Sequence, residues 1–197
     1  DINQVEMSSE RKMCFIDSNR DMFLSMVHKP EILKICNMVD SFQWNDANDM
    51  LTALSDGKLK TWFYPNAIYV DKDLMNKAMS AKEAGDVGKL VAITQFNGNI
   101  VTVRRLDGSL ATLGISPYPK MLYEHVDKTD FEGAIRMCRF VKEQPLWACL
   151  AAMSIYSREL NTVEIALAAV DEADKVQYIN YIKELPSEPS RNAALAL

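Results

Sequence analysis

The chain has 197 residues, 48% of them hydrophobic and 25% charged, an ordinary composition for a globular protein of one or two domains. Its net charge of −5 is spread evenly, with 13 basic and 15 acidic residues up to Pro117 and 9 and 12 beyond it. This excludes a basic stripe of the kind that nucleic acid binding needs, and no run approaches the ~18 consecutive apolar residues of a membrane-spanning helix. The start at Asp1 carries neither an initiator Met nor a signal-peptide pattern, so the chain reads as an internal stretch.

From the N-terminus, three hairpins are predicted at nearly constant spacing. Cys14-Phe15-Ile16 turns at Asp17-Ser18-Asn19 into Met22-Phe23-Leu24. Leu51-Thr52-Ala53-Leu54 turns at Asp56-Gly57 into Leu59-Lys60-Thr61-Trp62. Val91-Ala92-Ile93-Thr94 turns at Asn97-Gly98 into Ile100-Val101-Thr102-Val103. Asp-Gly and Asn-Gly suit tight hairpins because the central residues of a type I′ turn take positive φ. Asp17 and Asp56 are 39 residues apart and Asp56 and Asn97 are 41 apart, a period of ~40 that marks the four-stranded blades of a β-propeller.

Outer strands are expected at residues 32–36, 39–44 and, after the Asp107-Gly108 turn, 109–115. Trp62 occupies the place of a WD-repeat tryptophan, but Phe63 follows it instead of Asp, so the propeller reading rests on period and turns. An antiparallel sandwich is the alternative. Residues 1–116 hold about three blades, whereas a closed ring needs at least about four, so further blades are expected from outside this stretch. Residues 71–88 are polar and weakly helical and read as a surface insertion. The aromatic run Trp62-Phe63-Tyr64-Pro65 reads as packing between adjacent blades rather than as a peptide-binding patch.

At Ser116-Pro117-Tyr118-Pro119 the signals change. Six of the seven glycines lie before this point and only Gly133 after it. Thr129-Asp130-Phe131-Glu132 reads as a capping box with Thr129 as the cap, followed by Phe131, Ala134, Ile135 and Cys138 on one helical face. Pro145 suits the first turn of the next helix, which carries Leu146, Trp147, Leu150, Ala151 and Ser154. Asn161 to Glu164 and Asp174 to Gln177 repeat the capping pattern, with Ile165, Ala166 and Ala169, then Tyr178, Ile179 and Ile182, as their apolar faces. Pro186 and Pro189 are expected to end the fourth helix, and a further helix begins near Arg191. A shift of 31 residues maps Ala134 onto Ile165, Trp147 onto Tyr178 and Ala151 onto Ile182, a period of TPR-like helix pairs in an α-solenoid. The expected division is therefore 1–116, the C-terminal blades of an incomplete β-propeller, and 117–197, an incomplete helical repeat.

Candidate chemistry is sparse. His28 and His125 have no second ligand at a metal-binding spacing, and no G-x-G-x-x-G, P-loop or G-x-S-x-G is present. The cysteines Cys14, Cys36, Cys138 and Cys149 show no C-x-x-C spacing and read as small buried hydrophobes in a reducing compartment. A thiol-dependent enzyme using Cys138 or Cys149 with His125 is the one catalytic alternative, and nothing in the sequence marks either sulfur as activated. Arg104-Arg105 reads as a solvated strand end, and the eleven methionines are scattered through both halves.

Several stretches carry a family resemblance: Trp62-Phe63-Tyr64-Pro65-Asn66-Ala67, Ile115-Ser116-Pro117-Tyr118-Pro119, Cys138-Arg139-Phe140-Val141-Lys142-Glu143-Gln144, Leu146-Trp147-Ala148-Cys149-Leu150-Ala151-Ala152-Met153 and Asp174-Lys175-Val176-Gln177-Tyr178-Ile179. Together they resemble the eighty-kilodalton intraflagellar transport family, WD-repeat subunits of transport complex B, from about residue 13 to residue 186. Pro145 departs from the non-proline residue expected there, and a helix start accommodates it.

The resemblance implies two tandem propellers followed by a helical region, with this chain holding the last blades of the second propeller and the first helices. It implies a non-enzymatic scaffold that supports cilium assembly and maintenance through protein–protein docking, at the cilium or flagellum and basal body on the cytoplasmic side. The implied partners are other complex B subunits, with self-association left open and neither nucleic acid nor membrane insertion expected. It carries over no catalytic, metal or cofactor residues. On architecture alone, a vesicle-coat or nuclear-pore scaffold joins the same two modules.

Overall fold

The computed structural model describes residues 1–8, 12–27, 29–83 and 90–196. They form two compact units: Asp1–Trp62 with Ser80–Pro117, and Phe63–Met79 with Tyr118–Leu197.

The first unit contains three antiparallel sheets. Strands β1 (Ile2–Met7), β2 (Lys12–Asp17), β3 (Met22–Met26) and β4 (Lys29–Cys36) lie in order in the first sheet. β5 (Val39–Trp44), β6 (Leu51–Ser55), β7 (Lys58–Trp62) and β8 (Met79–Glu83) form the second. β9 (Leu90–Asn97), β10 (Ile100–Arg105) and β11 (Leu110–Gly114) form the third. β5 packs against both β1 and β9, so the first strands of successive sheets lie side by side as in propeller blades. The predicted hairpins are present, and β1, whose alternating residues are mostly exposed, is an element that sequence patterning did not reveal.

The turns follow backbone sterics with one change of register. Asp56 and Gly57 take φ of 49° and 72°, as the type I′ pattern requires. In the third hairpin Asn97 pairs with Ile100, so the loop is Gly98-Asn99 and not Asn97-Gly98. Gly98 there takes the positive φ, 57°.

Sheets one and two share a core of Cys14, Ile16, Met22, Leu24, Phe42, Leu51 and Ala53, all at 3% exposure or less. The loop between β5 and β6 holds the sheets to one another. Asn45 donates from Nδ2 to the Gly98 carbonyl (2.9 Å), and the Gly98 N–H donates to Asp46 Oδ1 (3.0 Å). Asp49 of the same loop forms an ion pair with Lys12 of β2, and both side chains are buried.

Residues 71–88, expected as a surface insertion, are placed differently. The chain leaves the first unit after Trp62, forms α1 (Ala67–Val70) and α2 (Lys72–Lys77) within the second unit, and returns as β8. Leu74, Met75 and Ala78 are buried, because α1 and α2 pack against a later helix of that unit. Asp71 caps α2 by accepting from the Asp73 N–H. Residues 84–88 of the expected insertion lie outside the described residues. The aromatic run divides in the same way. Trp62 is a buried residue of the first unit, whereas Phe63 and Tyr64 belong to the second, so packing between blades does not account for those two.

The remaining second unit contains α3 (Tyr118–Asp127), α4 (Phe131–Val141), α5 (Gln144–Tyr156), α6 (Leu160–Ala169), α7 (Ala173–Glu184) and α8 (Glu188–Leu195). α3 was not expected, although Pro119 in its first turn and Leu122 are both buried. α5 is the centre of the unit. Every residue from Leu146 to Ser154 is buried, because α1, α2, α3, α4 and α6 all pack around it. Pro145 sits in its first turn as expected.

The caps differ from the sequence reading. Asp130, not Thr129, caps α4 by accepting from the Gly133 N–H at 2.9 Å. α6 and α7 begin after Glu159 and Glu172, with no side-chain cap bond at either. Pro189 opens α8 instead of ending α7. In α6 the buried face is Thr162, Val163, Ala166 and Leu167, with Ile165 and Ala169 turned outward. Apolar residues surround that helix, so their spacing alone did not single out the packed side.

The turns from α3 through α7 each place a non-glycine residue in the left-handed region: Thr129 (φ 55°), Lys142 (60°), Arg158 (62°) and Asp171 (61°). A β-branched side chain tolerates that conformation least. Thr129→Gly is therefore expected to raise stability by about 1 kcal/mol in a chemical-denaturation titration. An unchanged or lower midpoint would contradict it.

Candidate interaction surface

Among the described residues no group of three or more His, Cys, Asp or Glu is arranged to hold a metal ion. His28 lies outside the described residues. His125, in the last turn of α3, is held by Asp130, with Nδ1 to Oδ2 at 2.9 Å. The two thiols proposed as its partners sit on α4 and α5. Burial pushes the Cys138 thiol up to about 12, and burial with the neighbouring Cys138 pushes the Cys149 thiol up as well. Such thiols are poor nucleophiles at neutral pH. Among the described residues no helix is long and apolar enough to cross a membrane.

Exposed apolar side chains gather on each of the two units. Sheet register puts Val5, Phe15 and Phe23 in line across β1, β2 and β3, with Met7 and Met13 beside them on the same face. Phe15 and Phe23 stack at 5.3 Å, and Val5 and Met7 are about half exposed. The opposite face of this sheet, carrying Cys14, Ile16, Met22 and Leu24, is buried in the core.

In the second unit Phe140 of α4 is 81% exposed and Tyr156 at the end of α5 is 75% exposed. Tyr178 and Tyr181 of α7 stack on each other at 6.3 Å and remain half exposed. The 31-residue shift maps buried Trp147 onto exposed Tyr178, because α5 is surrounded by helices and α7 is covered on fewer sides.

Charged side chains secure the segment that crosses into the second unit. Lys175 of α7 contacts Asp71 (2.6 Å), Asp73 (3.1 Å) and Glu172 (3.4 Å). Lys77 of α2 donates to Glu172 (2.6 Å) and to the Val170 carbonyl (2.9 Å). The Lys77 hydrogen bond, then the charges of Lys175 and Lys77, hold the Glu172 carboxyl below its ordinary 4.5. For Lys175, burial acts to lower the ammonium and the bonds to Asp71 and Asp73 overcome it, leaving the group raised.

A lowered carboxyl contributes stability that is complete above its unfolded value and is lost as pH falls through the folded one. Melting temperature is thus expected to drop as the pH falls below about 4.5, and less steeply in Glu172→Gln. Identical slopes for the two proteins in that window would refute the assignment.

Residues 1–118 match the family model described as the IFT80 second beta-propeller. Residues 146–197 match the model described as the IFT80/172/WDR35/WDR19 TPR domain. Over 200 aligned residues the chain is 46% identical to the Intraflagellar transport protein 80 homolog of Rattus norvegicus and 44% identical to that of Mus musculus. All of this chain is covered in both cases, and 26% of each relative, so the chain spans about a quarter of their length. The propeller match ends one residue beyond the last residue of the first unit, and the TPR match begins within the first turn of α5. α3 and α4 lie between the two.

Proposed function

Because this chain belongs to the IFT80 family, we propose that it is part of a non-enzymatic scaffold subunit of intraflagellar transport complex B, acting in cilium assembly and maintenance by docking other subunits. The observation that carries this reading is the identity to two intraflagellar transport proteins along the whole chain. Three sheets of propeller type and a stacked helical unit offer extended surfaces of the kind that docking uses, which supports it. Several modest interfaces on one subunit combine through high effective concentration.

In this reading residues 1–116 are the last blades of a propeller, apart from the helical crossover, and 117–197 begin a helical repeat. The face of Val5, Met7, Met13, Phe15 and Phe23 is where a preceding blade packs. Phe140 and Tyr156 serve a partner subunit. The protein works at the cilium and basal body on the cytoplasmic side, without nucleic acid and without membrane insertion. Vesicle-coat and nuclear-pore scaffolds share the two-module layout, and the family match favours the ciliary assignment over them.

The test is an affinity pull-down from ciliated cells with the intact protein, a protein truncated at Pro117, and one carrying Phe140→Asp with Tyr156→Asp. Complex B subunits are expected with the intact protein and at reduced yield with both variants. Recovery of no intraflagellar transport subunit by the intact protein would sink the proposal. Full recovery by the truncated protein would move the docking surface to the propeller.

A further inference from the structure

Three of the four thiols are buried at 1% exposure or less, and burial raises each of them: Cys14, Cys138 and Cys149. Cys36 differs in its surroundings. It ends β4, keeps 8% of its surface, and has an amine against its sulfur: Lys60 Nζ of β7 lies 3.3 Å from Sγ. The same Nζ donates to Ser55 Oγ at 3.0 Å, Ser55 donates to the Asn37 carbonyl at 2.9 Å, and Sγ lies 3.4 Å from Ser55 Oγ. Among the described residues no carboxylate pairs with Lys60, so its amine is shared between the Ser55 hydroxyl and the sulfur. The cluster joins the outermost strand of the first sheet to the second sheet, within one unit.

We propose that Cys36 and Lys60 form a peroxide-responsive modification site that closes into a reversible covalent sulfur–nitrogen cross-link between the two blades. A sulfenic acid condenses with a thiol or a nearby nitrogen, and here the nearest nitrogen is an amine that is already in contact. In the first step the sulfur attacks one oxygen of a hydroperoxide. The S–O bond forms and the O–O bond breaks, oxidising the sulfur by two electrons and reducing the peroxide. The leaving hydroxide departs as water with a proton from the Lys60 ammonium, which the thiol proton replaces.

In the second step Lys60 releases a proton to solvent and its nitrogen lone pair attacks the sulfenic sulfur. The S–N bond forms, the S–O bond breaks, and the departing hydroxide takes a nitrogen proton and leaves as a second water. The net change is the loss of one hydrogen from each side chain and the conversion of one peroxide to two waters. Two equivalents of an ordinary thiol reverse it, restoring the cysteine and the amine and leaving a disulfide of the added thiol.

The site is tested by treating the intact protein with hydrogen peroxide and mapping peptides by mass spectrometry. The expected product is a linked peptide containing Cys36 and Lys60, lighter by two hydrogens and released by dithiothreitol. Lys60→Arg keeps the positive charge without a competent nucleophile. It is expected to yield no linked peptide and to raise dimedone labelling of Cys36 by about tenfold, because the sulfenic acid then persists. Cys36→Ser is expected to yield neither product. The proposal is overturned if Cys36 is oxidised in the unaltered protein without linkage to Lys60, or if it stays reduced while Cys138 or Cys149 reacts.

Discussion

Replacing Asp49 by Ala is expected to destabilise the protein by about 3 kcal/mol or more in a urea titration, the cost typical of removing one partner from a buried ion pair. Lys12 and Asp49 have side-chain exposures of 0% and 2%, so water cannot take over from the lost carboxylate. The pair also ties β2 to the β5–β6 loop, whose neighbouring residues Asn45 and Asp46 hold the Gly98 turn, so loosening it affects contacts among all three sheets. Arg20 and Asp40 form an ion pair of the same kind with both side chains more than 40% exposed. Asp40→Ala is expected to cost less than about 1 kcal/mol. Substituting both buried partners together, Lys12→Met with Asp49→Leu, should recover much of the loss, since no unmatched charge is then left inside. A small effect at Asp49, similar to that at Asp40, would show that the pair has no structural weight.

The second large effect is expected in α5. Leu150→Ala removes a fully buried side chain from a helix packed on every side and should cost about 3 kcal/mol. Phe140→Ala removes a larger side chain, but one that is 81% exposed, and should change stability by less than about 0.5 kcal/mol. The two substitutions should therefore separate folding from docking. Leu150→Ala lowers the melting temperature, whereas Phe140→Ala leaves it unchanged and weakens capture of partner subunits. A loss of stability at Phe140 comparable to that at Leu150 would contradict the burial and the role assigned to this aromatic.

The elements that could be read from the sequence are those governed by neighbouring residues. The Asp56-Gly57 turn follows from the steric limits on positive φ, and the pairing of β6 with β7 follows from that turn. The repetition of hairpins at about forty residues, the change of pattern at Pro117 and the start of α5 at Pro145 were legible for similar local reasons. Caps were less legible. Thr129 and Asp130 are adjacent residues that can both cap a helix, and only the backbone decides which faces the Gly133 N–H. The surface proposed for docking was barely visible, because Phe140 and Leu150 are both apolar residues at helical spacing and composition does not distinguish an inward face from an outward one.

The sequence by itself determined the two structural classes and the family, since turns, periods and identity are properties of residue order. Only the tertiary structure decided where residues 63–79 belong. α1 and α2 have four and six residues, too few for a helical period to show. Their polar residues suggested solvent, yet Asp71, Asp73 and Lys77 join the charged cluster around Lys175 and Glu172, while Leu74 and Met75 are covered within the same unit. The charged partners of this segment lie about a hundred residues further along the chain, beyond the reach of any local pattern.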